Sequence, residues 1–317
     1  MRAGNTHFKE NNGGIPDYVT YPRQFVTYRW YRPLITGVLM AVILLVCSFI
    51  LIEIVSAATG NSGSITEMIK GGYDTMDAYT GPGALLSLGN LALIIPVLAL
   101  ANKMAGRRTF RSYLSSRGGW DFSIFFKTLL IGLVLVALPV ALDCILYDGR
   151  VGENKFTVAG FIVLLLLGPL QCIAEELLLR GFLMQTFGGW TRSAVAAIII
   201  QGVVFASLHP YSILGIIETL IFGLVCGVIA WLTKGLEAGS VLHICNNMAV
   251  FICTGFGYGA VSTLVKMRST MVSAIICLVF LAAVMILNKR GMFDRYREND
   301  AAEYNAKVEA KLAAKRA

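Results

Sequence analysis

The sequence predicts an all-α, polytopic membrane helix bundle with about eight transmembrane helices. Hydrophobic residues make up 56% of the 317 residues, charged residues make up only 15%, and the mean hydropathy is +0.69. A soluble domain carries about a quarter charged residues. The apolar residues also cluster into long runs of about 20, the length that a spanning helix needs. Because lipid cannot satisfy unpaired backbone groups, these runs must form helices rather than an open sheet.

Eight apolar runs are candidates for spanning helices. The first run carries a single charged residue, Glu53, between Pro33 and Ala58. The fifth and sixth runs have the weakest boundary, because only His209–Ser212 separates them. The predicted spans are residues 33–57, 84–102, 122–145, 157–186, 193–209, 212–233, 238–256 and 269–288.

The distribution of basic residues predicts the orientation. With eight spans and the N-terminus inside, 20 of the 27 Lys and Arg residues fall on the cytoplasmic side and 5 on the outer side. Basic residues are enriched in cytoplasmic segments, so both termini are expected in the cytoplasm, with the helices in a bacterial plasma membrane. The net charge of +8 is then explained by contact with the anionic headgroups of the bilayer rather than with nucleic acid.

Three regions follow from this pattern. Residues 1–32 form a basic, aromatic cytoplasmic tail, residues 33–288 form the transmembrane domain, and residues 289–317 form a cytoplasmic C-terminal tail. The end of that tail, from Glu298 to Ala317, is rich in Ala, Glu and Lys. Glu–Lys pairs at helical spacing favour a short surface helix there, and a frayed, solvated tail is the alternative.

Ionisable side chains within the spans mark the candidate functional site. Such groups are costly in lipid and usually face the bundle interior or a water-filled cavity, unless they reach the interface from a span end. Glu218 is expected to hydrogen-bond to a neighbouring helix, and completion of a cavity is the alternative. The full set is Glu53, Lys127, Asp143, Glu175, Glu176, Arg180, His209, Glu218 and His243.

The fourth span contains two adjacent glutamates with different expected roles. Glu176 precedes Arg180 by one helical turn, the favourable order for an ion pair within a helix. Glu175 points about 100° away around the helix and has no obvious partner in its own span. An unpaired carboxyl group in a dry site resists ionisation, which suits a general base that works near neutral pH.

Two further pairs have the same i, i+4 spacing. Phe205 lies one turn before His209, so its ring can pack on the imidazole and fix the rotamer. His243 and Asn247 share one face of the seventh span and can present two hydrogen-bond donors to one point. Paired donors are what a tetrahedral oxyanion requires.

Together these residues resemble a known family. Glu175-Glu176-x-x-x-Arg180, Phe205-x-x-x-His209 and His243-x-x-x-Asn247 are similar to the three ordered motifs of the CPBP family. This is the CAAX protease and bacteriocin-processing group, also called the ABI family, which includes the Ras-converting CAAX endopeptidase. The resemblance covers about residues 157–256, the expected catalytic core.

The resemblance implies a role for each matching residue. Glu175 would activate a water molecule, His209 would help to hold and polarise it, and His243 and Asn247 would form the oxyanion hole. The ion pair within the first motif, together with Phe205, would support the site structurally. The implied reaction is hydrolysis of a peptide bond in a membrane-associated or lipidated protein or peptide, without a covalent intermediate and without a cofactor.

Several alternatives stay open. Two histidines and two glutamates could bind zinc, although the HExxH spacing is absent. The chain could also be a catalytically inactive scaffold or bacteriocin-immunity protein, or a transporter with a proton relay. Transporters often carry inverted repeats, and none is evident. The substrate, its cleavage site and the oligomeric state are left open by the sequence.

One geometric condition applies to the shared site. If the fourth span begins at Thr157 and runs straight, Glu175 lies about 27 Å along it, whereas His209 lies at the outer end of the fifth span. A common site then requires a tilt, a break at Gly168-Pro169, or a later start of the fifth span.

Overall fold

The structure is a computed structural model, and it describes residues 15–59, 78–259, 265–297 and 299–316. These residues form helices, turns and two isolated bridges, without a strand. Within the same ranges, seven helices are long and apolar enough to cross a membrane, and an eighth apolar helix is shorter. The predicted all-α membrane bundle is therefore confirmed. The first 14 residues of the predicted N-terminal tail and most of the segment between the first two predicted spans lie outside the described residues.

The eight predicted spans correspond to eight observed helices, and a further helix lies in the C-terminal tail. Two one-turn helices, Tyr21–Gln24 and Arg111–Leu114, lie in the connecting segments that the structure describes. The short helix is the predicted fifth span, which has only 14 residues. The bounds are α1 Arg32–Thr59, α2 Gly81–Gly106, α3 Phe122–Asp148, α4 Val158–Thr191, α5 Ala194–Ser207, α6 Ile213–Thr233, α7 Glu237–Gly255, α8 Met267–Lys289 and α9 Asp300–Ala314.

Side-chain caps fix where several of these helices begin. The Thr157 hydroxyl accepts a hydrogen bond from the Gly160 amide at the start of α4. Ser193 caps α5 in the same way, and the Asp121 carboxylate caps α3. Such caps satisfy amide groups that have no partner within the helix. Since Arg192 adopts a left-handed conformation with φ of 59°, the chain reverses direction directly between α4 and α5.

Helix α4 is longer than predicted, and this length aligns the site residues. It contains 34 residues and is therefore about 51 Å long. Glu175 lies near the middle of α4, and His209 lies just beyond the end of α5. The stretch from Glu175 to Thr191 and the stretch from Ala194 to His209 are nearly equal in length. Because α4 and α5 run antiparallel from a tight turn, the side chains of Glu175 and His209 lie at similar depths.

The two alternative ways of bringing these residues together do not occur. Helix α4 continues through Pro169, so there is no break at Gly168-Pro169. Helix α5 begins at Ala194, where the fifth span was predicted to begin, rather than later.

Helix α7 lies at the centre of the bundle and α1 at its periphery. Of the seven long helices, α7 has the most buried apolar window and α1 the least buried. Helices α5 and α6 approach closely at Gly202 and Gly223, where a Cβ atom on Gly223 would lie 3.3 Å from the Cα atom of Gly202. Glycine at this point lets the backbones of α5 and α6 approach beside α4 and α7.

A buried ion pair holds the start of α7. Arg117 and Glu237 are almost fully buried and lie 2.7 Å apart. The other oxygen of Glu237 accepts a hydrogen bond from the Asp121 amide at 2.8 Å. The segment before α3 is thereby connected to the central helix. The sequence places Arg117 in a predicted cytoplasmic loop, and its burial was not anticipated because its partner is distant in the chain.

The C-terminal tail forms a helix, which agrees with the first of the two expected states. Helix α9 packs on the segment before α1 through the rings of Phe25 and Tyr304, with 5.5 Å between centroids. The Asn305 side chain donates a hydrogen bond to the Gln24 carbonyl at 2.8 Å. These contacts explain why a helix of low hydrophobicity stays ordered rather than fraying.

Candidate active site

A cavity of about 630 Å³ lies between α3, α5, α6, α7 and α8. It collects polar side chains that are far apart in the sequence. Their presence in an apolar bundle indicates a wet site at membrane depth. The polar residues of its wall on α6 and α7, with the histidine that follows α5, are His209, Glu218, Thr219, His243, Asn246, Asn247 and Thr254.

His243 lies between the two glutamates of α4. Its Nδ1 atom is 3.0 Å from Oε1 of Glu176, and its Nε2 atom is 3.6 Å from Oε2 of Glu175. Only 3% of the His243 side chain is exposed, and 15% of the Glu175 side chain. The first and third motifs therefore meet in space, although two helices separate them in the chain.

The predicted pair of Glu176 and Arg180 is present and completely buried. Arg180 Nη1 lies 2.7 Å from Oε1 of Glu176, and Nη2 donates a hydrogen bond to the Gly223 carbonyl at 3.1 Å. The guanidinium also lies 4.9 Å from the ring centroid of Phe205. One side chain of α4 thus connects to both α5 and α6, and the supporting role of this pair stays a prediction.

The expectation that Glu175 lacks a partner in its own helix was wrong. The amide of Gln171 donates a hydrogen bond to Oε1 of Glu175 at 2.5 Å. Gln171 lies one turn earlier on α4, so the spacing was visible in the sequence. It was missed because only ionisable groups were considered as partners. The other oxygen, Oε2, faces His243.

Directly after the glutamates, α4 changes its winding. Residues Leu177–Met184 form a π-helix of 8 residues that includes Arg180. Such segments are rare and often occur at functional sites. The altered winding applies to the residues that follow Glu176, so it affects how Arg180 is directed toward α5 and α6.

Phe205 connects the two histidines, as an aromatic ring between them. Its centroid lies 4.8 Å from that of His209 and 6.2 Å from that of His243. The predicted contact of Phe205 with His209 is therefore confirmed. His209 also has its Nδ1 atom 2.9 Å from the Phe205 carbonyl. Because a carbonyl can only accept, Nδ1 carries the proton and Nε2 is free to accept one.

Asn247 is oriented by its neighbour on α7. The Asn246 side-chain amide donates a hydrogen bond to Oδ1 of Asn247 at 3.1 Å. Oδ1 is occupied by this contact, and the Nδ2 group of Asn247 remains as a donor on the wall of the cavity. His243 lies on the same wall, one helical turn away.

Glu218 contributes to the cavity and also meets a neighbouring helix. Its carboxyl group faces the hydroxyls of Thr270 and Ser273 on α8, and it lines the cavity. Both expected placements of this residue therefore occur together. In contrast, Glu53 and Lys127 lie exposed on the outer surface of the bundle.

No cluster of three or more His, Cys, Asp or Glu side chains suited to a metal ion occurs among the described residues. His243 approaches both glutamates, but one of them is already paired with Arg180. The absence of a cofactor stays a prediction, and a chelation experiment tests it.

Comparison with known proteins finds a family model that is similar to this region. Residues 157–249 match the family model of Rce1-like proteins, described as type II CAAX prenyl endopeptidase Rce1-like. The resemblance to CAAX proteases is confirmed for these residues. The matched segment contains Glu175, His209, His243 and Asn247, the four residues that the sequence predicts to be catalytic. Together with the seven apolar helices, this family match supports the identification of the chain as an integral membrane protein.

A curated relative matches a longer part of this chain. The uncharacterized protein YyaK of Bacillus subtilis (strain 168) is 31% identical over 172 residues. The match covers 50% of this chain and 56% of that protein, so the chain spans about half the length of the curated relative. No solved structure shows significant similarity to the chain.

Proposed function

We propose that this protein is an intramembrane endopeptidase in which Glu175 activates a water molecule. The contact of His243 with both glutamates, at the wall of a large cavity, carries this proposal. The Rce1-like match supports the reaction class, because that family model is described as an endopeptidase. The substrate is a peptide bond in a membrane-associated or lipidated protein or peptide.

Glu175 acts as the general base. Gln171 holds one of its carboxylate oxygens, and the other oxygen lies 3.6 Å from Nε2 of His243, a residue that lines the cavity. His209 binds the same water molecule through Nε2, which is free to accept a proton. As the water oxygen attacks the peptide carbonyl, Glu175 takes one of its protons. The C–N bond then breaks, and Glu175 returns that proton to the leaving amine.

His243 and Asn247 stabilise the oxyanion that forms during the attack. A carboxylate can only accept hydrogen bonds, so the Nδ1 atom of His243 is the donor to Glu176. Nε2 can then donate to the oxyanion only when both ring nitrogens are protonated. The Nδ2 group of Asn247, one helical turn away on the same wall of the cavity, is the second donor.

We also propose a location and orientation. The basic residues favour cytoplasmic termini, and the relative from Bacillus is bacterial, which supports a bacterial plasma membrane. A prenylated C-terminus is one substrate class to test, since the family model is named for prenyl endopeptidases. Leader peptides and segments of membrane proteins are the other classes.

The decisive experiment compares peptide termini in membranes from cells that carry the wild-type protein or Glu175→Gln at matched expression. We expect specific termini to disappear in the variant, and the purified wild-type protein to cleave the same peptides. If the two terminal profiles are identical while deletion of the protein has a phenotype, the endopeptidase proposal fails and a scaffold role takes its place. Proton-coupled flux in liposomes would instead support a transporter.

A further inference from the structure

Four arginines line a small cavity that is separate from the candidate active site. Arg29 lies in the segment that leads into α1, Arg32 is the first residue of α1, and Arg107 and Arg108 follow the end of α2. Gln185 and Thr186 of α4 complete the wall. The cavity lies at the end of the bundle that carries residues 15–32, and none of its residues belongs to the three motifs.

Among the described residues, no acidic side chain balances the positive charge of this cavity. No Asp or Glu among the described residues lines it. The ion pairs formed within the described ranges include none of the four arginines. Arg108 donates a hydrogen bond to the Gln185 side chain at 2.6 Å, and Arg29 donates to the Tyr28 carbonyl at 2.7 Å. Both acceptors are neutral.

Arg32 provides the most specific observation. Its Nη1 atom is buried and has no hydrogen-bond partner among the described residues. A buried, charged donor without an acceptor costs free energy. Guanidinium groups match the geometry of phosphate, which can accept two parallel hydrogen bonds from one fork. An oxyanion in this cavity would therefore satisfy Nη1 and neutralise part of the arginine cluster.

The size of the cavity restricts the ligand. Its volume of about 30 Å³ exceeds the space that one buried water needs. It can therefore admit one or two oxygens of an oxyanion, but not a peptide side chain of ordinary length. The rest of the ligand must lie outside the cavity, at the surface of the bundle.

Neighbouring aromatic residues indicate where that surface lies. Trp30 and Tyr31 fall between Arg29 and Arg32, and their side chains are 65% and 43% exposed. Exposed Trp and Tyr at the start of a spanning helix sit at the level of the lipid headgroups. The arginine cavity is therefore at the depth where phospholipid phosphates occur, and basic pockets between spanning helices can hold such headgroups.

We propose that this cavity binds the phosphate group of an anionic phospholipid, with Arg32 as the central donor. The lipid would join the segment before α1 to the end of α2 and to α4. A ligand that binds only the folded state increases stability. The site is independent of the proposed peptidase activity, so it stands even if that activity is absent.

The test measures lipid binding to the full-length protein in a non-ionic detergent by native mass spectrometry. Phosphatidylglycerol and phosphatidylcholine are added in equal amounts to the wild-type protein, Arg32→Gln and Lys103→Gln. Lys103 is a matched control, because it is an exposed basic residue of α2 that does not line the cavity. We expect the wild-type protein to bind phosphatidylglycerol in preference to phosphatidylcholine. Arg32→Gln should bind phosphatidylglycerol about fivefold more weakly, because one basic residue near an anionic lipid contributes about that much to the affinity. Lys103→Gln should stay within about twofold of the wild type on the same scale.

Three outcomes would overturn the proposal. Equal binding of the two lipids would remove the preference for an anionic headgroup. If Arg32→Gln and Lys103→Gln weaken phosphatidylglycerol binding equally, the lipid is held by general electrostatic attraction rather than by a defined site. If inorganic phosphate at matched ionic strength raises the thermal stability as much as phosphatidylglycerol does, the ligand is soluble phosphate and not a lipid. Should Arg32→Gln fail to fold, Arg107→Asn replaces it, because Asn tolerates the left-handed conformation at that position, where φ is 49°.

Discussion

The Nδ1 atom of His243 lies 3.0 Å from Oε1 of Glu176, the same oxygen atom that binds Arg180. The imidazole on α7 is therefore oriented by a buried ion pair on α4. This contact directs Nε2 toward Glu175 and toward the cavity. Arg180 has no catalytic chemistry of its own, but through these contacts it influences the positions of Glu176 and His243.

Replacing Glu175 with Gln should abolish cleavage without unfolding the protein. The amide keeps the shape of the side chain but cannot take a proton from water, so kcat should fall by at least about 10²-fold. Cleavage of a substrate peptide by the purified variant measures this effect. Glu53→Gln is the matched control, because Glu53 lies exposed on α1, and it should retain full activity. Residual activity of Glu175→Gln above about a tenth of wild type would exclude Glu175 as the base.

The neighbouring substitution, Glu176→Gln, should mainly affect stability. It leaves the buried charge of Arg180 without its partner, which costs about 3–5 kcal/mol. Unfolding by a denaturing detergent measures the loss. The double variant Glu176→Gln with Arg180→Met removes both charges and should recover part of that stability. If the double variant loses as much stability as Glu176→Gln and Arg180→Met lose in sum when each is made alone, the two residues are not energetically coupled.

Gln171 should help to position the base. Gln171→Leu removes the hydrogen bond to Oε1 of Glu175, and a typical hydrogen bond contributes about 0.5–1.5 kcal/mol. We therefore expect kcat to fall by about 2- to 12-fold, far less than for Glu175→Gln. Gln171→Glu would place a second carboxyl group beside the base and should shift the pH profile of cleavage. An unchanged rate and profile in both variants would contradict this role.

Cleavage should continue after metal ions are removed. Glu176 is already paired with Arg180, and the proposed mechanism uses Glu175 to activate water directly. Treatment of the purified enzyme with a zinc chelator, followed by dialysis, should leave the rate unchanged. If the chelator abolishes cleavage and added zinc restores it, the metal-dependent alternative is established, and the two histidines are the first candidate ligands.

The cap of α3 should make the protein sensitive to acid. Burial opposes the ionisation of Asp121, but hydrogen bonds from the Ile124 and Ser123 amides, with Arg297 and Arg295 nearby, hold its pKa below the usual 3.8. A lowered pKa in the folded state contributes stability above the unfolded value, and this contribution disappears as the pH falls through the folded pKa. Asp121→Asn should therefore be less stable than wild type at pH 7.

The same pair of proteins provides the control at low pH. When the pH falls below about 4, the wild-type carboxyl group becomes protonated in the unfolded chain and then in the folded protein. The stability difference between wild type and Asp121→Asn should shrink over that range. Unfolding measured at pH 7 and at successive lower values checks the trend, and a constant difference would show that the charge of Asp121 does not contribute.

Short-range relationships were accessible from the sequence. The pairs Glu176–Arg180 and Phe205–His209 are each one helical turn apart, and helical geometry alone brings such side chains together. The hydrogen bond of Gln171 to Glu175 follows the same rule and was missed only because Gln is uncharged. The positions and order of the apolar helices were also predictable, because apolar runs of this length have few alternatives to a helix in lipid. The fifth run nevertheless forms a helix shorter than the seven that are long enough to cross a membrane.

The sequence by itself determined the helical membrane bundle and the positions of its apolar helices, and it predicted four candidate site residues. The tertiary structure decided how those residues meet: His243 between the two glutamates of α4, the depth shared by Glu175 and His209, and the burial of Arg117 against Glu237. The physical reason is that helix formation depends on local spacing and on the surrounding lipid. The cavity and the arginine cluster arise instead from packing between helices that are distant in the chain.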